Sequence, residues 1–499
     1  MTENDRKSAM EELERYVSID DESTRYFVDF DHTLFLGNST ESFVASARPA
    51  SLFATFMKIL GALAPWRIAG SSGYFIFRDL IRLLVLVCLA PWTALFFKSD
   101  AKSQWETQRN RTLEAKLANI DPSRVVIVSF GFHFIIRTLL KGTKWEGCEI
   151  VAPSLFQSPK FRKMGKLAIL REKGFELVPE RDVIITDSAE DDADLIEYFD
   201  KSAVIDWPQK NTVGAFHNTY IPFFYTARIK RSPGFLIKQI GLEELPVILI
   251  AFGFSHAPFN WTVLVALAFF FAAFKLVYEI GYAENDNVGY ATEKNPKLTS
   301  NFFKMRDYRL QPYAWLWSAA FAMVGVWVLN DAAQLQALTH LHLPYLAGTI
   351  YGPVAIFGAV VGITLFARAA FWVFNHVDLR TRVFAYLPLH MMKYMGWMAL
   401  FSLSEIGMAL ICAQIVRTWS LYAIRRAGGD IDFIPSQLVR LCFFVIFLGI
   451  IAASNRSMDV ISDWQTYIIL GFCIVRAIPE VRKKMFNSNN MDAKITDGA

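Results

Sequence analysis

Two aspartates spaced two apart, Asp29 and Asp31, close the run YFVDFD at 26–31. Residues i and i+2 of an extended chain point the same way, so two such carboxylates can share one magnesium ion and one phosphate. Ser129 ends the run VVIVS and Asp187 stands near the end of DVIITDS, and both are residue types that phosphoryl-transfer chemistry uses. A second set lies much further along. Lys275, Glu279, Tyr282 and Asp286 recur at i, i+4, i+7 and i+11 of a largely apolar stretch, so they share one helical face. Ionisable groups inside an apolar span are costly and face a bundle interior or a water-filled site, which makes this stripe a candidate functional site.

The first set needs a sheet to bring it together. The runs at 26–31, 125–129, 149–155, 182–188 and 202–207 are short and rich in β-branched residues, as buried parallel strands of an α/β domain are. The carboxyl ends of such strands form the ligand crevice of an open parallel sheet, and that is where Asp29, Asp31, Ser129 and Asp187 fall. An insertion at about 37–122 contains YFIFRDLIRLLVLVCLAPWTALFF, interrupted by Arg78, Asp79 and Arg82. That pattern suits an amphipathic helical cap resting on a membrane, with a re-entrant segment as the alternative.

The second set needs a membrane. Of 499 residues 53% are hydrophobic and 15% aromatic, more than a soluble enzyme of this length requires. Apolar runs at 242–257, 259–283, 313–330, 345–375, 384–416, 436–453 and 464–478 alternate with short polar loops. Most match the roughly 20 residues that cross a bilayer core. The 384–416 run would be about 50 Å as one helix, and reading it as a hairpin brings the total from seven spans to eight. Lys and Arg collect at 284–309, near 378 and after 480, as cytoplasmic loops do. A near-balanced charge of +4 argues against a nucleic-acid partner. Five cysteines without CxxC spacing argue against a disulfide framework or zinc site, and the charged first twenty residues do not read as a secretory leader. The expected layout is a polar segment at 1–20, an α/β domain at 21–230, an all-α polytopic membrane bundle of seven to eight helices at 231–485, and a polar tail at 486–499.

The order DxDxT at 29–33, then Ser129, then Lys166 in MGK, then TDSxxD with Asp187 and Asp191, resembles the haloacid dehalogenase superfamily of phosphohydrolases over about residues 24–210. The resemblance implies a Rossmann-like domain in which Asp29 attacks phosphorus and Asp31 protonates the leaving group and later activates water. It implies that Thr33 positions the loop and that Ser129 and Lys166 hold phosphoryl oxygens. Mg2+ would then be bound by Asp29, the Asp31 carbonyl and Asp187, with support from Asp191. His32 and Phe130 depart from the common pattern without removing a reacting group.

At the end of the ionisable stripe the chain reads NDNVGYATEKNP, which resembles the NDxxDxxxD signature of UbiA-type intramembrane prenyltransferases. The family's motif holds magnesium on a prenyl or activated-sugar diphosphate. Carried onto this chain, Asp286 and Glu293 become metal ligands and Asn285 a substrate contact beside Lys275, Glu279 and Tyr282. Gly289 stands where the middle Asp is expected. A second acidic motif has only a weak counterpart in Asp378, Arg380 and Arg382, whose arginines equally suit positive-inside anchoring.

Together the resemblances imply a bifunctional, Mg2+-dependent inner-membrane protein, multi-pass, with its N-terminal domain in the cytoplasm. Its partners would be a polyprenyl phosphate or diphosphate and a small phosphorylated co-substrate, phosphoribosyl diphosphate fitting most directly. An aromatic polyprenyltransferase with a fused phosphatase, and a non-catalytic scaffold or transporter with a phosphate-sensing domain, are the rival expectations. Prenyl length, acceptor and oligomeric state are not encoded in any motif here.

Overall fold

A computed structural model describes residues 3–19, 21–65, 71–231, 233–255, 261–294, 296, 298–329, 351–431 and 434–488. The chain forms two compact units, Met1–Ile221 and Pro222–Ala499, dividing a little before the boundary at 230 expected from sequence.

The first unit is built on five parallel strands: β1 (Tyr26–Val28), β2 (Val125–Val128), β3 (Glu149–Val151), β4 (Val183–Thr186) and β5 (Lys201–Val204), in the order β3-β2-β1-β4-β5. Tyr26 pairs with both Val125 and Val183, so β1 is central. Strand side chains alternate between faces. Tyr26, Val28, Ile127 and Ile185 enter one core, while Phe27, Val126, Val128 and Ile184 enter another on the opposite face. The sheet order reverses beside β1, and the chain ends leaving β1, β2 and β4 there carry the polar residues picked out above. The polar start of the chain is not separate from this unit: helix Glu3–Ser18 packs Ala9 and Leu13 into the first core.

The 37–122 insertion is helical, with helices Ser39–Ala45, Ala50–Leu63, Ser71–Leu89 and Thr93–Gln108. The axes of Phe77–Leu89 and Thr93–Gln108 differ by 115°. Arg82 turns inward onto Glu41, donating from both terminal nitrogens, and Asp79 meets Arg78 and Arg162. The charges that interrupt the apolar run therefore tie the cap to itself, through Glu41, and to helix Ser158–Met164, through Arg162. Leu63 and Leu95 remain exposed, at 76% and 71%.

The second unit is helical. Among the described residues four helices are long and apolar enough to cross a membrane: Trp261–Thr292, Gly352–His376, Glu405–Arg426 and Ser436–Asn455. Tyr313–Val328 is apolar but shorter. The 384–416 run is two elements, helix Arg382–Met395 and helix Glu405–Arg426, separated by the turn Gly396–Ala399. Residues 330–350, which include the Lys- and Arg-free segment 330–343 and the start of the 345–375 run, lie outside the described residues, as does 489–499 of the tail. Helix Trp261–Thr292 is the hub of the core, and Gly281 lets it approach its neighbour: a Cβ there would come within 2.0 Å of the Phe371 ring.

Candidate functional site

A cavity of about 360 Å3 opens at the carboxyl ends of β1, β2 and β4, lined by Asp29, Asp31, Ser129, Lys166, Asp187 and Asp191. Thr33 lies fully buried beneath it, its Oγ1 3.4 Å from Asp29 Oδ2 and 3.4 Å from Asp187 Oδ1. Every N-terminal residue singled out from sequence is thus at one place.

Lys166 is the first residue of helix Lys166–Glu172, and Gly165 delivers it there. Gly165 has φ 83°, and an added Cβ would stand 2.7 Å from Asp194 Oδ2, the oxygen that accepts from the Leu167 amide. Only glycine meets both conditions. The Lys166 ammonium reaches Asp29 Oδ1 at 2.7 Å and forms an ion pair with Asp192 Oδ1 at 2.5 Å. Asp192 is the residue the sequence did not single out. It is buried and takes the Thr186 hydroxyl at 2.5 Å, whereas its neighbour Asp191 is exposed and donates its amide to Ser188.

Ser39 is a second residue without a sequence signal of its own. Its amide donates to Asp31 Oδ1 at 2.5 Å and its hydroxyl lies 3.1 Å from Asp31 Oδ2, at the start of helix Ser39–Ala45. Burial pushes the Asp31 carboxyl above its ordinary value against those two donors. Burial pushes Asp29 up to about 8, with Lys166 opposing, and raises Asp187 as well. Phe130 lies under both Lys166 Nζ, at 5.2 Å, and the Arg162 guanidinium, at 5.5 Å from the ring centre. His32 adopts φ 61°, with Nδ1 3.3 Å from the Leu36 carbonyl oxygen, as a turn residue facing the cavity.

Among the described residues no group of three or more His, Cys, Asp or Glu side chains could hold a metal. Asp29 and Asp187, bridged through Thr33, still supply two hard oxygen donors, and the Asp31 carbonyl is a third of the same kind. That donor set, crowded and desolvated, fits a Mg2+ that keeps several waters.

In the helical unit the stripe is buried as expected of one face: Lys275 is 2%, Glu279 1% and Asp286 3% exposed. Lys275 pairs with Glu244 at 3.0 Å rather than with Glu279, and Glu244 also takes Lys393 at 2.5 Å. Glu279 accepts the amides of Phe223 and Thr226, at 3.1 and 2.8 Å. Asp286 accepts the Tyr225 hydroxyl at 2.8 Å and is paired with Lys230, which also reaches Asn285 at 3.2 Å. Glu293 is held by Arg382 at 2.8 Å. Tyr282 stacks edge-on against Tyr278 and Phe371. Arg382 is buried, but Asp378 and Arg380 sit on an exposed turn where Asp378 takes the Arg380 and Thr381 amides. The arrangement brings Lys275, Glu279, Tyr282, Asn285, Asp286, Glu293 and Arg382 onto internal partners and leaves Asp378 and Arg380 outside them. With Lys230 on Asp286 and Arg382 on Glu293, these two carboxylates do not present a metal-ligand set.

Comparison with protein-family models, with curated proteins and with solved structures finds no match to this chain, so the geometry alone bears on function.

Proposed function

We propose that the chain is a bifunctional membrane enzyme of polyprenyl-lipid metabolism. Its helical unit transfers phosphoribose from phosphoribosyl diphosphate to a polyprenyl phosphate, and its α/β unit removes the remaining phosphate from the product. The observation that carries this is the convergence of Asp29, Asp31, Ser129, Lys166 and Asp187, from separate stretches of sequence, on one cavity.

In the α/β unit an Asp29 carboxylate oxygen attacks phosphorus, the ester P–O bond breaks, and Asp31 gives its proton to the departing oxygen. Asp31 then takes a proton from water, whose oxygen attacks phosphorus and releases Asp29. Lys166 and Ser129 hold the phosphoryl oxygens, and Asp192 keeps Lys166 aimed at them. Asp29, the Asp31 carbonyl and Asp187 would hold a Mg2+, which would supply charge to offset that of the phosphoryl oxygens. In the helical unit Lys230 and Arg382 are the cations that would meet a diphosphate, and no step is assigned there to a metal. Seven to eight spans, an inner-membrane location and a cytoplasmic α/β unit complete the proposal, supported by the Lys- and Arg-rich loops.

A second reading, in which the helical unit anchors a phosphatase, is favoured by one observation: Asp286 is already engaged by Lys230 and Tyr225. The phosphatase assignment common to both is tested with the full chain in detergent. Asp29→Asn should abolish Mg2+-dependent hydrolysis of p-nitrophenyl phosphate while leaving the far-ultraviolet circular dichroism unchanged. Equal turnover by wild type and Asp29→Asn would remove Asp29 from its role.

A further inference from the structure

Five cations face two carboxylates inside the helical unit: Lys275 and Lys393 surround Glu244, while Arg417, Arg440 and Arg476 surround Glu243. The guanidinium half is the more unbalanced. Arg440 Nη1 donates to Glu243 Oε2 at 2.9 Å and lies 3.2 Å from Gln414 Oε1. Arg417 Nη1 uses the same two acceptors, at 3.4 and 3.0 Å. Arg476 Nε and Gln437 Nε2 share Glu243 Oε1, at 2.8 and 2.7 Å. Glu480, the other acid at this end, is taken up by the Ser436 hydroxyl and the Gln437 amide, at 3.1 and 2.6 Å.

A guanidinium carries five N–H donors and no acceptor. Three of them crowd one carboxylate and one amide oxygen, so donors are left over. Arg440 is fully buried and also engages the buried Cys473 thiol, yet its Nε and Nη2 reach no oxygen or nitrogen acceptor among the described residues, and Arg417 Nε reaches none either. The Arg440 guanidinium lies 4.6 Å over the Phe472 ring, which places an apolar surface on one side of it. A buried ion-pair network kept only for packing matches its charges, because each unpaired charge in a low-dielectric interior costs several kcal/mol. Here three guanidiniums share the one Glu243 carboxylate, so the surplus is positive. Arg476, whose side chain is 31% exposed, connects the cluster to the outside.

We infer that Arg417, Arg440 and Arg476 form a binding site for a phosphate-class oxyanion, either free or as the headgroup of a lipid. Phosphate oxygens are the acceptors that these forks match bidentately. A monoprotonated phosphate would also offer a hydroxyl to Gln437 Oε1, which is buried without a partner among the described residues. None of its residues lines the α/β cavity or is among the partners of Asp286, and it does not rest on the transfer reaction proposed above.

The test uses the full chain carrying Lys166→Met, which silences phosphate binding in the α/β cavity, in phosphatidylcholine nanodiscs and buffer free of phosphate and sulfate. Inorganic phosphate, inorganic diphosphate and farnesyl phosphate are titrated separately and followed by native mass spectrometry and thermal midpoint. At least one should bind saturably. Arg476→Gln and Arg440→Lys should each weaken that binding by about tenfold or more. Glu243→Gln should tighten it, since it removes the carboxylate that competes for the same guanidiniums; a packing network would show no such gain. Binding of farnesyl phosphate alone identifies the lipid headgroup as the source, binding of the inorganic ions alone identifies a free anion, and mutual displacement shows that the site takes both. No saturable binding of any probe, or unchanged affinity in Arg476→Gln, overturns the inference. If Arg440→Lys does not fold, Arg476→Gln and Glu243→Gln decide it.

Discussion

Glu244 is the shared counter-ion of two buried ammonium groups in the helical unit, and replacing it with glutamine should expose how that unit is held together. Its carboxylate is 3.0 Å from Lys275 Nζ and 2.5 Å from Lys393 Nζ, and all three residues are at most 3% exposed. At an effective dielectric of about 20, each contact is worth roughly 5–7 kcal/mol of gross attraction. Most of that offsets the cost of burying three charges, so the net value of the triad is far smaller. Glu244→Gln removes the attraction and keeps the burial cost of two ammonium groups, which should destabilise the chain by about 3–5 kcal/mol. Unfolding by sodium dodecyl sulfate in mixed micelles, read by tryptophan fluorescence, measures it. Adding Lys393→Met to Glu244→Gln should recover about 1–3 kcal/mol, because the double variant again has one buried surplus charge rather than two. A Glu244→Gln chain within about 1 kcal/mol of wild type, or a double variant that loses the sum of the two singles, would refute the assignment of Lys275 to a structural ion pair and return it to substrate binding.

Asp192→Asn should lower kcat/KM for p-nitrophenyl phosphate by about ten- to a hundredfold, about 1–3 kcal/mol, by releasing Lys166 from one of its two carboxylates. Partial rescue by Asp192→Glu identifies positioning, and full activity in Asp192→Asn would contradict it. The cap should loosen in acid. Against a desolvation cost that acts upward, the Arg82 guanidinium holds Glu41 below its ordinary value of 4.5, so the tether stabilises above that pH and is lost as pH falls through the depressed value. Amide hydrogen exchange in helix Ser71–Leu89 should accelerate in that acid window in wild type and show no such step in Glu41→Gln.

The sheet was legible because five short runs are rich in β-branched residues and three of them, at 26–31, 125–129 and 182–188, end in polar residues that a parallel order puts on one edge. Asp29, Asp31, Ser129 and Asp187 group on that ground alone, whereas Lys166 joins them only through the motif order that resembles the haloacid dehalogenase superfamily. Asp192 could not: in the pair Asp191–Asp192 nothing distinguishes the two carboxylates until the turn into helix Ala193–Tyr198 points one inward. Helical spacing likewise set Lys275, Glu279, Tyr282 and Asp286 on one buried face, because periodicity reports orientation. It does not report partners. The counter-ion of Lys275 is Glu244, thirty-one residues earlier, at the start of a run whose apolar residues drew attention away from its two glutamates. The guanidinium cluster on Glu243 was hidden for the same reason, since Arg417, Arg440 and Arg476 come from three different helices.

The proposal of two consecutive steps on one lipid is tested most directly by following its product. Full-length chain in nanodiscs containing polyprenyl phosphate is supplied with Mg2+ and labelled phosphoribosyl diphosphate, and the extracted lipids are analysed by mass spectrometry. Wild type should yield a pentose-linked lipid without the terminal phosphate, Asp29→Asn should accumulate the same lipid with it, and Asp286→Ala should yield neither, because Lys230 and Tyr225 lose the carboxylate that orients them. Absence of any labelled lipid from wild type, or the same product from wild type and Asp29→Asn, would contradict the division of labour.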